Sequence, residues 1–342
     1  MTTVSASGVH EHAAAGAEDV DAGRADVRGA LRRLGGVGVF GTDEDDPTDE
    51  LLASVRMLRR LASVSLATAF SAWSQRMVLE YLRCCPPPEP LTDLVAGLRA
   101  GTVPGATALA PAVADLAGTG TLPVTAVRDG AGWRLSGTVR WASNLFDDAV
   151  VVTPARTADE GRLVALFRLT DHGVTPSAPY ELLGLGGTGT GGVELRDAAV
   201  GPGHVLTDDL ASFMALCRPA MLLLQTALAL GVADAALTAA GEQLAVVLRP
   251  DVDALGERRD DVVRRLEDLA GDRVGVHPGD LARLRLSALD IAAEAVRLES
   301  AAAGGPGYLA ASATARRVRE AAFLPVQAPT YVQLRREVAT AG

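Results

Sequence analysis

The chain has 342 residues, 48% of them hydrophobic, 22% charged and only 4% aromatic, with a net charge of −10 at pH 7. Such a length and apolar content support a sizeable core in one large domain or two to three smaller ones. The acidic balance argues against nucleic acid or an anionic membrane as the main partner. All the Lys/Arg-type cations are arginine, together with an Ala/Gly/Val excess, so arginine alone is not evidence of an anion site.

Residues 1–23, MTTVSASGVHEHAAAGAEDVDAG, are acidic and lack both a basic stretch and an apolar run. They do not read as a signal peptide and are expected to be disordered. A short amphipathic helix is expected over 26–34, closed by Gly35 and Gly36 in a left-handed cap. Pro47 and Thr48 mark the entry to further helices, with acids in the first turn, and PPPEP stops them before Cys85. A shorter helix over 91–99 completes a helical region, 24–103.

From residue 104 the pattern changes to alternation. VTAVRDGAGWRLSGTVRWAS carries a hairpin signal at RDGAG, and three more strand patterns follow. Residues 104–206 therefore read as an antiparallel β domain. Residues 207–342 return to helical spacing. The most apolar run, 219–237, is interrupted by Gln225, Thr226 and Asp234, and reads as a buried bundle helix rather than a membrane span. Leu281, Leu284, Ala288, Ile291, Ala295 and Leu298 recur at steps of three and four and form a seam. Arg283, Arg285, Asp290, Glu294 and Arg297 fall off it. AGGPGY breaks that helix. Cys84, Cys85 and Cys217 lack metal-ligand spacing and read as thiols in a reducing cytoplasm, and the five histidines form no metal site.

One short segment stands out. RWASN, Arg140–Asn144, contains the sole asparagine of the chain next to a tryptophan. On the residues alone, Trp141 fills a β core and Ser143-Asn144 makes a turn.

Four stretches in order resemble the acyl-CoA dehydrogenase superfamily over about residues 25–340. They are LGGVGVF with its following helices, GATALAP…VRDGAGWRLSGTVRWASN, LLGLGGTGTGGVELRDAAV and AAAGGPGYLAASATARRVREAAFLPVQAPTYVQLRREVA. The resemblance implies an α+β, mostly α, fold: an N-terminal helical domain, a middle antiparallel β domain and a C-terminal four-helix bundle, assembled as a homodimer, homotetramer or heteromer. It implies a flavin: FAD, or FMN or reduced flavin supplied by a reductase. Trp141 would cover the ring, Ser143 would approach its N5/O4 edge, and Leu109, Gly304, Gly305 and Thr330 would occupy cofactor-binding positions. A hydroxyl can donate or accept, which suits an atom that changes sense with redox state.

The departures from the family pattern bear on the reaction. The proton-abstracting glutamate is replaced by Ala328, followed by Pro329 and Thr330. The alternative base position on the first bundle helix is Met221. Neither can take a proton at neutral pH. Leu109 replaces a threonine, Ala301 replaces a glutamine, and the R-x-x-F-G segment has no match. Three readings follow. The first is an oxygenase using reduced flavin and O2 on a small molecule or acyl substrate, with Ser143, Arg218 and Gln327 as candidate hydrogen-bond or proton donors. The second is an acyl-thioester dehydrogenase with a relocated base, Glu320 and Asp290 being the nearest acids. The third is a base-less partner subunit of a heteromer.

Overall fold

The computed structural model describes residues 6–41, 46–86, 91–242, 246–272 and 277–340. Helices α1 (Ala6–Asp21), α2 (Arg28–Gly36), α3 (Pro47–Ala62), α4 (Leu66–Cys84) and α5 (Thr92–Arg99) come first. The sheet region holds β1 (Gly105–Thr107), a short helix α6 (Ala110–Leu116), β2 (Val124–Asp129), β3 (Gly132–Ala142), β4 (Val150–Thr157), β5 (Arg162–Arg168), β6 (Val174–Pro176), β7 (Gly191–Val200) and β8 (Val205–Thr207). Helices α7 (Leu210–Glu242), α8 (Arg249–Gly271), α9 (Pro278–Gly307), α10 (Ala313–Phe323) and α11 (Tyr331–Thr340) follow.

The expected disordered start is corrected from residue 6 onward. Val9, Ala13, Ala17 and Val20 are buried, at steps of four, four and three, so α1 has a helical stripe built largely of small residues. Its end is tied down by Asp21. That carboxylate takes two bonds from Arg319 of α10 (3.0 and 2.6 Å) and one from the Leu185 backbone N–H (3.0 Å). The left-handed cap of α2 is corrected too. Gly35 and Gly36 stay helical and Gly38, at φ 74°, takes the left-handed turn. Gly35 is needed for another reason: a Cβ there would lie 2.2 Å from the Ala100 backbone.

Capping explains where the following helices begin. Asp46 accepts from Thr48 N and Asp49 N at the start of α3, and Ser65 accepts from Thr68 N at the start of α4. Residues 66–82 of α4 are all buried. Its polar side chains therefore point at backbone: Gln75 Nε2 donates to Leu98 O and Val103 O, and Gln75 Oε1 accepts from Gly105 N. These bonds lash β1 to α4.

The eight strands run β6-β7-β3-β2-β4-β5-β8, with β1 also on β4. Most pairs are antiparallel, as expected of this β domain, and β1 and β2 both pair β4 in parallel, which makes the sheet mixed. α7, long and apolar enough to span a membrane by length and composition, is instead 89% buried over its most apolar window. It packs against α3, α4, α8 and α9. At Gly231 an added Cβ would lie 2.2 Å from Arg59 O of α3, so glycine permits that close crossing. The α9 seam residues are all buried as expected. Arg285, expected off the seam, is fully buried.

Candidate functional site

Strand β3 alternates with Leu135 and Val139 inward, which would carry Trp141 inward as well. A register shift between Val139 and Ala142 intervenes. A bulge there re-aims the strand end: Ala142 is buried and Trp141 is 59% exposed. The core-filling reading of this indole is thereby corrected. Tyr180 props the indole edge-on, with ring centroids 4.8 Å apart at 71°, and its hydroxyl donates to Arg140 O at 2.9 Å. The result is an exposed aromatic face held by a second ring.

Asn144 answers for its rarity. It adopts φ 64°, a conformation asparagine tolerates better than most residues. Its Nδ2 donates to Ser71 O of α4 (2.9 Å) and Gly105 O of β1 (3.0 Å), and its backbone N–H donates to Thr188 O (2.8 Å). It joins the strand end to the N-terminal helices as well as making the turn.

Ser143 lies at the end of a hydroxyl chain whose direction can be deduced. Thr188 Oγ1 bonds Leu185 O at 2.8 Å, and that carbonyl can only accept, so the Thr188 proton is committed there. The 2.7 Å contact between Thr188 and Thr190 must then be donated by Thr190. The 2.6 Å contact between Thr190 and Ser143 must be donated by Ser143. Ser143 Oγ is left as an acceptor toward any further partner. Its expected freedom to act in either sense is removed by Thr188 and Thr190, residues the sequence reading did not single out.

The bundle-side candidates form a second group. Arg218 of α7 pairs with Glu337 of α11, so its charge is already matched. Gln327 is buried and its Oε1 accepts from Arg285 Nη2 at 3.1 Å, while Arg285 Nη2 also approaches Leu324 O at 3.3 Å. Ala328 is partly exposed, and its carbonyl accepts from Gln225 Nε2 of α7 at 2.9 Å. Met221, one turn before Gln225, is buried. Thr330 caps α11: its N–H donates to Gln333 Oε1 and its hydroxyl accepts from Gln333 N. Gly304, at φ 58° and ψ −145°, breaks α9, and with Gly305 it lies exposed at that kink. Leu109 is buried just before α6. Among the described residues, no hydrogen bond, ring contact or ion pair joins the Trp141–Ser143 group to the Arg218, Gln327 and Thr330 group.

The two acids considered as relocated bases are not poised for proton abstraction. Asp290 is exposed. Glu320 is buried and accepts from Leu66 N and Arg316 Nη1, both at 3.0 Å. Burial pushes its carboxyl up to about 7, against the opposing pull of Arg316. Two surface hollows, of about 240 Å³ beside Arg28 and Asp148 and about 410 Å³ beside Ser63 and Asp234, include none of the candidate residues.

No family model and no curated protein matches the chain. Solved structures do. It is similar to butyryl-CoA dehydrogenase from Megasphaera elsdenii, with a TM-score of 0.87 and 17% identity over 98% of this chain and 95% of that one. It is also similar to glutaryl-CoA dehydrogenase from Mycobacterium smegmatis in complex with FADH2, with a TM-score of 0.86 and 17% identity over 98% and 92% of the two chains. PigA with FAD and proline superposes with a TM-score of 0.81 and 15% identity over 98% and 97%. N-terminal helices, then a mixed sheet, then a helical bundle, in this order along nearly the whole chain, are the fold of the acyl-CoA dehydrogenase superfamily, and this chain has that fold.

Proposed function

We propose that the protein is a flavin-dependent oxidoreductase that works with reduced flavin, and that it is an oxygenase rather than a desaturase. The ring of a flavin would lie on the exposed Trp141 face, where Tyr180 fixes the indole. When bound in reduced form, a flavin supplies two electrons to molecular oxygen. The observation that carries the preference is the hydroxyl chain: Ser143 offers an acceptor, which suits the N–H of a reduced ring and not the bare nitrogen of an oxidised one.

The second support is what the bundle lacks. Ala328 and Met221 cannot remove a proton from a substrate carbon, and Glu320 is held by a backbone N–H and Arg316. Structures of this fold include one with FAD and proline, one with FADH2 that is named for glutaryl-CoA, and one named for butyryl-CoA. The substrate is accordingly an acyl thioester or a small molecule. Reduced flavin would come from a separate reductase, and assembly into a homodimer or homotetramer would complete the diphosphate end of the site.

The test is anaerobic binding of oxidised and reduced FMN and FAD, read by quenching of tryptophan fluorescence. Reduced flavin should bind about tenfold more tightly, the ratio given by one hydrogen bond of about 1.4 kcal/mol. Reoxidation in air with oxygen transfer to a substrate supports the oxygenase. Bleaching of bound oxidised flavin by an acyl-CoA supports the dehydrogenase. Absence of flavin uptake supports the partner-subunit reading and sinks the other two.

A further inference from the structure

Arg285 is the most anomalous charge in the described structure. It is 0% exposed in the middle of α9. One of its nitrogens, Nη2, is bonded, to Leu324 O and Gln327 Oε1, while Nε and Nη1 are buried without any partner. Both acceptors are neutral, and burial alone pulls the guanidinium down to about 9, so it is still charged at neutral pH. Next to it, Gln327 is 6% exposed and its Nε2 is likewise buried and unbonded. The Gln327 orientation is fixed, because its other amide atom must be the oxygen that accepts from Arg285. Three buried donor groups, two on the guanidinium and one on Gln327, are therefore left open beside an uncompensated positive charge. An unpaired interior charge costs several kcal/mol, and neutral protein groups do not offset it here.

We propose that Arg285 and Gln327 form a buried receptor for one small monoanion, carboxylate-like or halide-like in size, set behind Ala328. The anion accepts from Gln327 Nε2 and from one of the two open guanidinium nitrogens, Nε or Nη1, which lie on opposite sides of the group. One guanidinium N–H and one amide N–H together suit a single carboxylate or halide. Gln225, which holds the same turn through Ala328 O, leaves its own buried Oε1 open, so a ligand that also carries an O–H or N–H beside its carboxylate meets a further partner there. An ion held there braces the turn that carries residue 328.

The experiment uses the full chain without flavin, so its outcome is independent of the flavin reading. Melting temperature is measured in sodium bromide and, separately, sodium acetate, at constant ionic strength set with sodium gluconate. Saturable stabilisation of about 2–5 °C is expected. Saturation by bromide alone marks an inorganic ion, and saturation by acetate marks the carboxylate of an organic ligand. Either supports the site, and a bromide soak should place an anomalous peak at Arg285.

Two variants guard the conclusion. Arg285→Met removes the charge at similar volume. It should melt higher than the wild-type protein without anion and should lose the anion response. Gln327→Glu supplies an internal counter-ion and should give the same two changes. An anion response that is absent from the wild-type protein, or that survives in Arg285→Met, overturns the proposal. So does a lower melting temperature of Arg285→Met in anion-free buffer, which would show the guanidinium already satisfied by ordered water.

Discussion

The sheet end around Trp141 and the bundle interior around Arg285 handle polar groups in opposite ways. At Trp141 the backbone does the arranging. A bulge turns the indole outward, and a left-handed asparagine with two side-chain bonds fixes the turn that follows. A run of hydroxyls passes its protons one way to a carbonyl. At Arg285 the backbone is ordinary helix and the peculiarity is electrostatic, a full charge without a counter-charge. The contrast teaches that polarity of a site is set by bond direction where groups meet solvent, and by what is missing where they do not.

The comparison is broken most forcefully at Asn144. Replacing it with alanine removes one bond each from the Ser71 and Gly105 carbonyls, of which Gly105 O keeps the Ser74 hydroxyl, and places a Cβ residue at φ 64° without side-chain compensation. A loss of about 3 kcal/mol is expected in urea unfolding. Asn144→Gly keeps the backbone conformation and should recover about 1 kcal/mol of that. Equal losses in the two variants would show that the left-handed conformation costs nothing.

The next effect lies in the bundle. Glu320 has a carboxyl raised from 4.5 to about 7 by burial. A raised carboxyl binds its proton more tightly in the folded state. Its stabilising contribution is therefore complete below pH 4.5 and is lost as pH rises through about 7. A shift of that size corresponds to about 3 kcal/mol. Urea midpoints should fall between pH 4.5 and 8, and Glu320→Gln should flatten that slope. A slope unchanged in the variant assigns it to another group.

The architecture was legible in the sequence where period and punctuation were strong. Pro47, the proline run after Cys85 and the RDGAG turn mark boundaries that the folded chain respects, because each acts through its own backbone. The α9 seam was equally plain. Other features depended on context. Arg285 lies four residues after Leu281 and three before Ala288, and Arg285, Ala292 and Glu299 recur at heptad spacing with all three fully buried. A wider stripe would have included them, but its charge placed Arg285 off the seam. Asp21 and the small-residue stripe of α1 were hidden for the opposite reason, since alanines give little hydrophobic contrast. Trp141 was misdirected by its own alternation, because a bulge is a tertiary choice that period-two reasoning does not contain. The hydroxyl chain joins residues 143 and 190, 47 positions apart, and no local spacing announces it.

A smaller stability effect, about 1 kcal/mol, is expected for Thr190→Val, which removes one link of a buried chain. Its sharper consequence is directional. With Thr190 gone, the Ser143 proton is released to donate outward. The preference for reduced over oxidised flavin should shrink or reverse, while total affinity changes less. Retention of the full preference would show that the chain does not set the sense of Ser143, and flavin binding itself would stand.

The smallest change in stability belongs to Trp141. An indole 59% exposed, touching Tyr180 at its edge, contributes little to the core, so Trp141→Ala should alter unfolding free energy by no more than about 0.5–1 kcal/mol. The same replacement removes the flat surface on which a tricyclic ring would lie, and flavin affinity should drop at least about tenfold, an effect of about 1.4 kcal/mol. Trp141→Phe keeps a flat aromatic face and should restore most of the binding. This split separates a platform from a structural plug. A residue that served the fold would lower stability as it lowered affinity, whereas an outward-turned ring released by a bulge should lower affinity alone.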